Sequence, residues 1–269
     1  MHAQIVVIGG GPAGMAAAWA AAKTGANTLL IERYGFCGGM ATTGIVGSIL
    51  GHYLNEKQPA VAGFLKELIE KLAEIDGCEP WETAFQRYGI SFDSELLKFI
   101  AEQILFNAGV KFLYHSYLSS VDAVNGKIKS VEVVNKSGKM EITGEVFIDT
   151  TGDADAAYYG GFECTKGRPQ DGKTESMGCI FKIAGIDEEK LTEEVIKKAR
   201  EKLLQLRQQG YLKIFNEGLG GKGSTIRKSE RSFNMTRFAG DATNAIELTQ
   251  AEIELRKETF KIFDFLKKM

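Results

Sequence analysis

Cysteine is scarce and scattered in this chain of 269 residues, and neither sign of charge is in surplus. Cys37, Cys78, Cys164 and Cys179 lie far apart with no CxxC pair, which argues against a zinc site and against a thioredoxin-like redox pair. Reduced thiols, and with them a cytoplasmic location, are the default expectation. Lys and Arg number 33 against 35 Asp and Glu, a net charge of -2. The basic footprint expected for nucleic acid or an anionic membrane surface is therefore missing. No internal repeat and no low-complexity segment is visible, although EGLGGKGS, from Glu217 to Ser224, has the composition of a flexible loop. The apolar stretch from Ile5 to Ala22 is interrupted by Gly9, Gly10, Gly11, Pro12 and Gly14 and lacks a basic leader. It reads as strand, turn and buried helix rather than signal peptide or membrane span.

What is present is ordinary globular composition, 44% hydrophobic and 25% charged, in a length that suits one large domain or two small ones. Ile5 to Ile8 is a short continuous apolar run ending in glycines, the pattern of a parallel strand covered on both faces. The alanine-rich run that follows predicts a helix from about Pro12 to Thr24 with Gly25 as its C-cap, and Thr28 to Ile31 reads as the next strand. A glycine-dense apolar loop comes after Glu32. Apolar spacing predicts amphipathic helices over 61–75 and 94–106, the second capped by Asp93 or Ser94.

From Val110 to Ile148 the pattern becomes short β runs (KFLY, YLSSVDAV, KIKSVEVV, KMEIT, EVFID) separated by turn signals, which predicts a β-meander. Beyond about Gly161 come a strand near 178–183, a charged helix over 188–209 and a final helix from about Ala245. The expected architecture is α/β: a Rossmann-like domain over 1–160 with a helical insertion at about 52–90, then a second α+β domain over 161–269.

Gly9, Gly11 and Gly14 have GxGxxG spacing, with Gly10, Pro12 and Ala13 between them. In that motif the first glycine permits the tight turn, the second lets the backbone approach a pyrophosphate, and the third lets helix and strand pack closely. The motif follows a buried strand and opens a helix whose N-terminal amides and dipole favour phosphate. Glu32 ends the second strand, where a carboxylate accepts bonds from ribose hydroxyls; an acid there disfavours a 2′-phosphate, leaving FAD or NAD.

The segment IVVIGGGPAGMAAAWAAAKTGANTLLIER resembles the N-terminus of FAD-dependent oxidoreductases of the glutathione-reductase-like, two-dinucleotide-binding-domain superfamily. Gly38, Gly39 and Met40 resemble the glycine pair that lies along the FAD pyrophosphate and ribityl chain, a feature NAD domains usually lack. The meander's end, Thr151, Gly152 and Asp153, resembles the segment that returns the chain to the cofactor. By the same resemblance Glu32 and Arg33 lie at the ribose end, and the backbone of Leu118 falls where the adenine is contacted. FAD is the implied cofactor and a small organic molecule the implied substrate. An NAD-dependent dehydrogenase is the alternative that the glycine pair disfavours.

ERYGFCGGMATTG, SFDSELLKFIAEQIL, FIDTTGDADAA and GDATNAIELTQAEIELR extend the resemblance over essentially the whole chain. The resemblance also implies a C-terminal segment that completes the FAD domain and contacts the flavin ring, and nothing here resembles it. The expectation is therefore a second domain that is incomplete, with a separate chain supplying the missing part. A catalytically incomplete FAD-binding subunit is thus a further alternative. Among reactive residues, His52 is a candidate base, Cys37 a candidate thiol near the flavin, and Arg227, Arg231 and Arg237 with Lys222 and Lys228 a candidate anion-binding group. The ordinary readings are a structural histidine, a packed thiol and a solvated loop. Tyr158, Tyr159 and the phenylalanines are candidates for lining a pocket, although most aromatic residues are expected in the core.

Overall fold

Strand β1 (His2–Ile8) buries Val6 and Val7 completely, one on each face, so the sheet it nucleates is covered on both sides. The chain turns through Gly9 to Gly11 into α1 (Pro12–Lys23), which starts on proline, pre-set in φ for a helix. Gly25, at φ +87°, ends that helix in the left-handed region and sends the chain into β2 (Thr28–Ile31). β2 is buried at every position and pairs parallel to β1. The computed structural model describes residues 1–55, 58–84, 86, 89–220 and 224–269, which group into two units, Met1–Cys164 and Thr165–Met269.

The glycine-dense segment after Glu32 closes in a 3₁₀ turn at Gly39–Ala41. Short strands β3 (Ser48–Ile49), β4 (Tyr53–Asn55) and β5 (Gln58–Pro59) follow, then α2 (Phe64–Ala73), α3 (Trp81–Ala84), β6 (Ile90–Ser91) and α4 (Ser94–Asn107). α2 turns Phe64, Leu68, Ile69 and Leu72 inward. Together with α1 and α4 it covers Val7 and Leu30 on one face of the sheet. Asp93 caps α4, its carboxylate accepting the Glu95 and Leu96 N–H groups at 2.8 and 3.2 Å.

The remainder of the first unit is β7 (Lys111–Leu113), β8 (Tyr117–Val124), β9 (Lys127–Asn135), β10 (Gly138–Asp149) and α5 (Asp155–Tyr159). Sheet order is β7-β2-β1-β10-β9-β8. KFLY therefore does not belong to the meander, as its sequence position suggested; it forms the opposite edge, parallel to β2. KMEIT and EVFID are one strand, not two. β10 runs antiparallel to β9 up to Thr143 and is taken over there by β1 in parallel, from the pair His2 with Thr143 to Ile8 with Asp149. Because its ladder bonds pass from one neighbour to the other without a gap, no turn is needed at Thr143-Gly144. The sheet's second face joins Val6, Ile8, Leu29 and Ile31 to Leu118, Val131, Val133 and Ile142.

In the second unit β11 (Ile180–Ala184) pairs antiparallel with β12 (Glu230–Asn234), beside α6 (Glu193–Gln208) and α7 (Ala245–Lys267). Its core gathers Leu203, Leu212, Ile214, Phe233, Met235 and Ile262. α6 begins later than 188: Thr192 accepts the Val195 N–H as its cap, and Lys190 N–H closes a turn on Asp187 O at 3.2 Å. No described helix is long and apolar enough to cross a membrane.

Candidate functional site

The C-terminal ends of β1, β2 and β10 meet at the glycine loop. Gly9 has φ +106°, and a Cβ there would lie 2.4 Å from Thr150 O. A Cβ on Gly14 would lie 1.8 Å from Gly9 O, so the first turn of α1 presses directly on the loop. At Gly11 the situation reverses: a Cβ would meet nothing within 4 Å. Gly11 is also the N-cap of α1 and offers no side-chain cap, and the first turn carries no acidic side chain. The loop thus presents an open hollow in front of a helix N-terminus, the arrangement that receives an anion.

Gly38 and Gly39 form one wall of that hollow. Gly38 N–H donates to Gly10 O at 2.8 Å, and a Cβ on Gly39 would come within 2.9 Å of Gly11 Cα. Gly38, at φ +116°, lies under Thr42, whose hydroxyl donates to Cys37 O at 3.0 Å. Met40 is exposed.

A second wall is the segment after β10. Thr150 N–H donates to Ile8 O at 2.9 Å, and the Thr150 hydroxyl lies 2.9 Å from Ile8 O and 2.8 Å from Gly9 O. Asp149 accepts the Thr151 N–H and hydroxyl through Oδ1 and the Ala157 N–H through Oδ2. It thereby fixes the turn through Gly152, which has φ +98° and open space where a Cβ would point. Thr150 and Asp149 brace the site and were not singled out as site residues in the sequence. Their only signal was their place directly before the Thr-Gly pair.

Glu32 is buried, and its carboxylate is engaged from inside the protein. Gly10 N–H donates to Oε2 at 2.6 Å and Tyr34 N–H to Oε1 at 2.8 Å. The acid that the motif assigns to a ligand thus also holds the glycine loop, with further lone pairs on both oxygens. Arg33 lies over the Tyr34 ring at 5.1 Å. Ser116 N–H donates to Glu32 O at 3.0 Å, which ties the start of β8 to this end of the site. Leu118 follows on β8, its side chain buried and its backbone paired with Val133. Asp153 is exposed beside Gly152. The Asp155 carboxyl is pushed above its ordinary range by burial and then by Asp153 and Asp149, while Arg33 pulls the other way. This concentration of carboxylates suits hydroxyls better than another phosphate.

Among the remaining sequence candidates Cys37 lies at the loop, its Sγ 3.1 Å from where a Cβ on Gly10 would stand. Cys37 is fully buried, 3.5 Å from the Tyr114 hydroxyl. Burial pushes its thiol up to about 12, so no thiolate forms near neutral pH. His52 is also buried, edge-on to Tyr53 at 5.0 Å between ring centres. Two members of the proposed basic group are engaged inside the second unit. Buried Arg231 forks onto Glu188 at 2.9 and 2.7 Å and donates to Gly220 O. Arg237 bonds Asn234 and Thr236 and lies 3.8 Å over the Phe215 ring. Arg227 and Lys228 lie in the bend before β12, and Lys222 falls outside the described residues. Tyr158 and Tyr159 on α5 are exposed, because so short a helix has one covered face, held by Ala156. No group of His, Cys, Asp and Glu among the described residues could hold a metal ion.

The family model described as FAD dependent oxidoreductase matches residues 4–269. Curated protein sequences give no match. Among solved structures, THI4 of Thermovibrio ammonificans is similar at 17% identity and TM-score 0.44, over 62% of this chain and 67% of that one. A geranylgeranyl bacteriochlorophyll reductase-like protein from Thermoplasma acidophilum is similar at 19% identity and TM-score 0.48, over 69% and 48%. The myxobacterial chondrochloren halogenase CndH, described as a variant of FAD-dependent halogenases, is similar at 16% identity and TM-score 0.45, over 69% and 44%. The chain thus spans less than half the length of the last two.

Proposed function

We propose, from the premise that this chain belongs to the FAD dependent oxidoreductase family, that its N-terminal unit binds FAD for redox chemistry on a small organic substrate. The observation that carries this reading is the hollow at Gly11, open where a Cβ would stand and walled by Gly39 on one side. It faces a twelve-residue helix whose start no side chain caps. A pyrophosphate fits that chemistry, because N–H groups and the positive end of the dipole point at it.

Gly9, Gly11, Pro12, Ala13 and Gly14 would hold the pyrophosphate. Glu32, with Arg33 beside it, would take the ribose, and the Leu118 backbone the adenine. Gly38, Gly39 and Met40 would follow the ribityl chain, with Thr151, Gly152 and Asp153 closing over it. When bound, FAD supplies hydride or electron acceptance at the flavin ring. The chain's own part is to orient the cofactor and match its charge. Thr150 and Asp149 would hold the two walls at a fixed distance through the bonds already described. In this reading residues 1–160 are the FAD-binding domain of the glutathione-reductase-like superfamily, and residues 161–269 form a substrate or cap domain.

A second reading has the chain as a subunit that needs a partner polypeptide to complete the reacting face. It is favoured by the burial of both His52 and Cys37, the side chains the sequence offered for acid–base or thiol work. The family match sets the NAD-dependent dehydrogenase aside. Purified protein is expected to be yellow, with absorbance near about 450 nm, and to release FAD on denaturation. Colourless protein that FAD cannot reconstitute would refute the proposal. Flavin that binds but never bleaches, anaerobically, with any of a panel of organic reductants would favour the second reading.

A further inference from the structure

Gly9, Gly10 and Gly11 follow one another with no side chain among them. Such a run has little conformational preference of its own, so its shape is imposed by what packs against it. At Gly10 that packing comes from residues 32–38. Glu32 Oε2 accepts the Gly10 N–H at 2.6 Å, and Gly38 N–H donates to Gly10 O at 2.8 Å. These two bonds fix the peptide groups on either side of Gly10 and leave its Cα free to swing about the line between them. Cys37 Sγ, 3.1 Å from where a Cβ on Gly10 would stand, blocks that swing on the protein side. Without it Gly10 can settle back and take with it Gly11, the residue that opens on the hollow.

The thiol is held in its turn. Cys37 is buried in the core with Met15 and Leu30, its carbonyl accepts the Thr42 hydroxyl, and its Sγ lies 3.5 Å from the Tyr114 hydroxyl. Tyr114 directly follows β7 and also bonds the Glu102 carboxylate on α4. The phenol's one proton goes to the carboxylate, the stronger acceptor, which leaves its oxygen to receive the Cys37 S–H. A line of contacts thus runs from α4 through Tyr114 and Cys37 to the back of Gly10. Burial keeps the thiol protonated, so it acts there as a neutral spacer and not as a nucleophile.

We propose that Cys37 is a positioning residue for the cofactor. Acting from behind the glycine loop, and held there by Tyr114, it fixes how far Gly10 and Gly11 stand back from the phosphate they receive. The proposal rests on the FAD reading of the hollow and adds to it a residue that acts through Gly10. A loop already held in its binding shape spares association the cost of ordering it.

The test is the FAD affinity of the full chain stripped of flavin, read from quenching of flavin fluorescence, beside the urea midpoint of each variant. While the chain is essentially all folded, lost global stability leaves Kd unmoved, so affinity separates positioning from packing. Cys37→Ala is expected to raise Kd about tenfold and Tyr114→Phe about threefold, with Cys37→Ser between wild type and Cys37→Ala. The double variant Cys37→Ala, Tyr114→Phe should bind no worse than Cys37→Ala, because Tyr114 acts through the thiol. Cys78, another buried thiol of the same core, donates to Ile69 O at 3.3 Å. Cys78→Ala is expected to lower the urea midpoint and leave Kd within about twofold of wild type. A Cys37→Ala chain that keeps its affinity as Cys78→Ala does would overturn the proposal, and a double variant whose losses multiply would overturn the part given to Tyr114. A wild-type chain that does not bind FAD would refute the FAD reading itself, and the proposal with it.

Discussion

Gly11 and Gly14 belong to one motif yet have opposite surroundings, and substitution separates their roles. Gly11→Val places its side chain in open space, so folding stability is expected to fall by no more than about 1 kcal/mol, the preference for glycine at an N-cap, while FAD retention is lost. Gly14→Ala drives a methyl to 1.8 Å from the Gly9 carbonyl, backbone against backbone, with no rotamer to relieve it. A cost of about 3 kcal/mol or more is expected. Urea denaturation and flavin content measured on both variants check this. Full flavin in Gly11→Val, or an unchanged midpoint in Gly14→Ala, would contradict the assignment. The spacing made both glycines visible in the sequence, but not which one faces a ligand and which one faces protein. Glu32 was visible too. That Gly10 and Tyr34 occupy one position on each of its oxygens depends on how the loop folds back.

At the scale of elements, the local signals that decide helix ends were strong. Asp93 before an apolar-periodic run is a cap by composition, and in the structure its carboxylate takes two N–H groups at the start of α4. Asp93→Ala is expected to lower stability by about 1–2 kcal/mol, read from the urea midpoint, with Asp93→Asn losing less. Equal losses for both variants would show that the charge rather than the cap is what matters. Strand partnership was less legible. KFLY, at the head of a series of β runs, is the edge strand next to β2, and KMEIT joins EVFID. Period-2 patterns report which faces are buried but not which neighbour accepts the ladder bonds. For β10 that neighbour changes at Thr143.

For the molecule as a whole, the thiols bear on stability. Cys37 and Cys78 are buried, and burial pushes both up to about 12 from an ordinary 9. Their folded-state values are raised, so the folded chain holds protons that the unfolded chain gives up. The contribution is complete below pH 9 and is lost as pH climbs from 9 toward about 12. Stability should fall across that window by about 1 kcal/mol per pH unit for each thiol. Urea midpoints under reducing conditions at neutral and alkaline pH test this against a Cys37→Ala, Cys78→Ala variant, whose slope should be shallower. An identical slope in the variant would refute it. Scattered cysteines argue against a zinc site and a CxxC redox pair; that two of them are core residues followed only from packing beside Met15, Leu30 and Leu72.

The sequence by itself determined the βαβ opening, the glycine positions, the acid at the end of β2 and the resemblance to a flavin-binding family. Each of these rests on local spacing, on residues whose backbone freedom or periodicity is specified within a few positions. Tertiary structure decided what required distant segments to meet. Thr150 braces Gly9 across the sheet, Gly39 packs on Gly11, Arg231 is consumed by Glu188, and the open volume in front of α1 emerges between them. A hollow has no residue of its own, so no spacing along the chain can encode it directly.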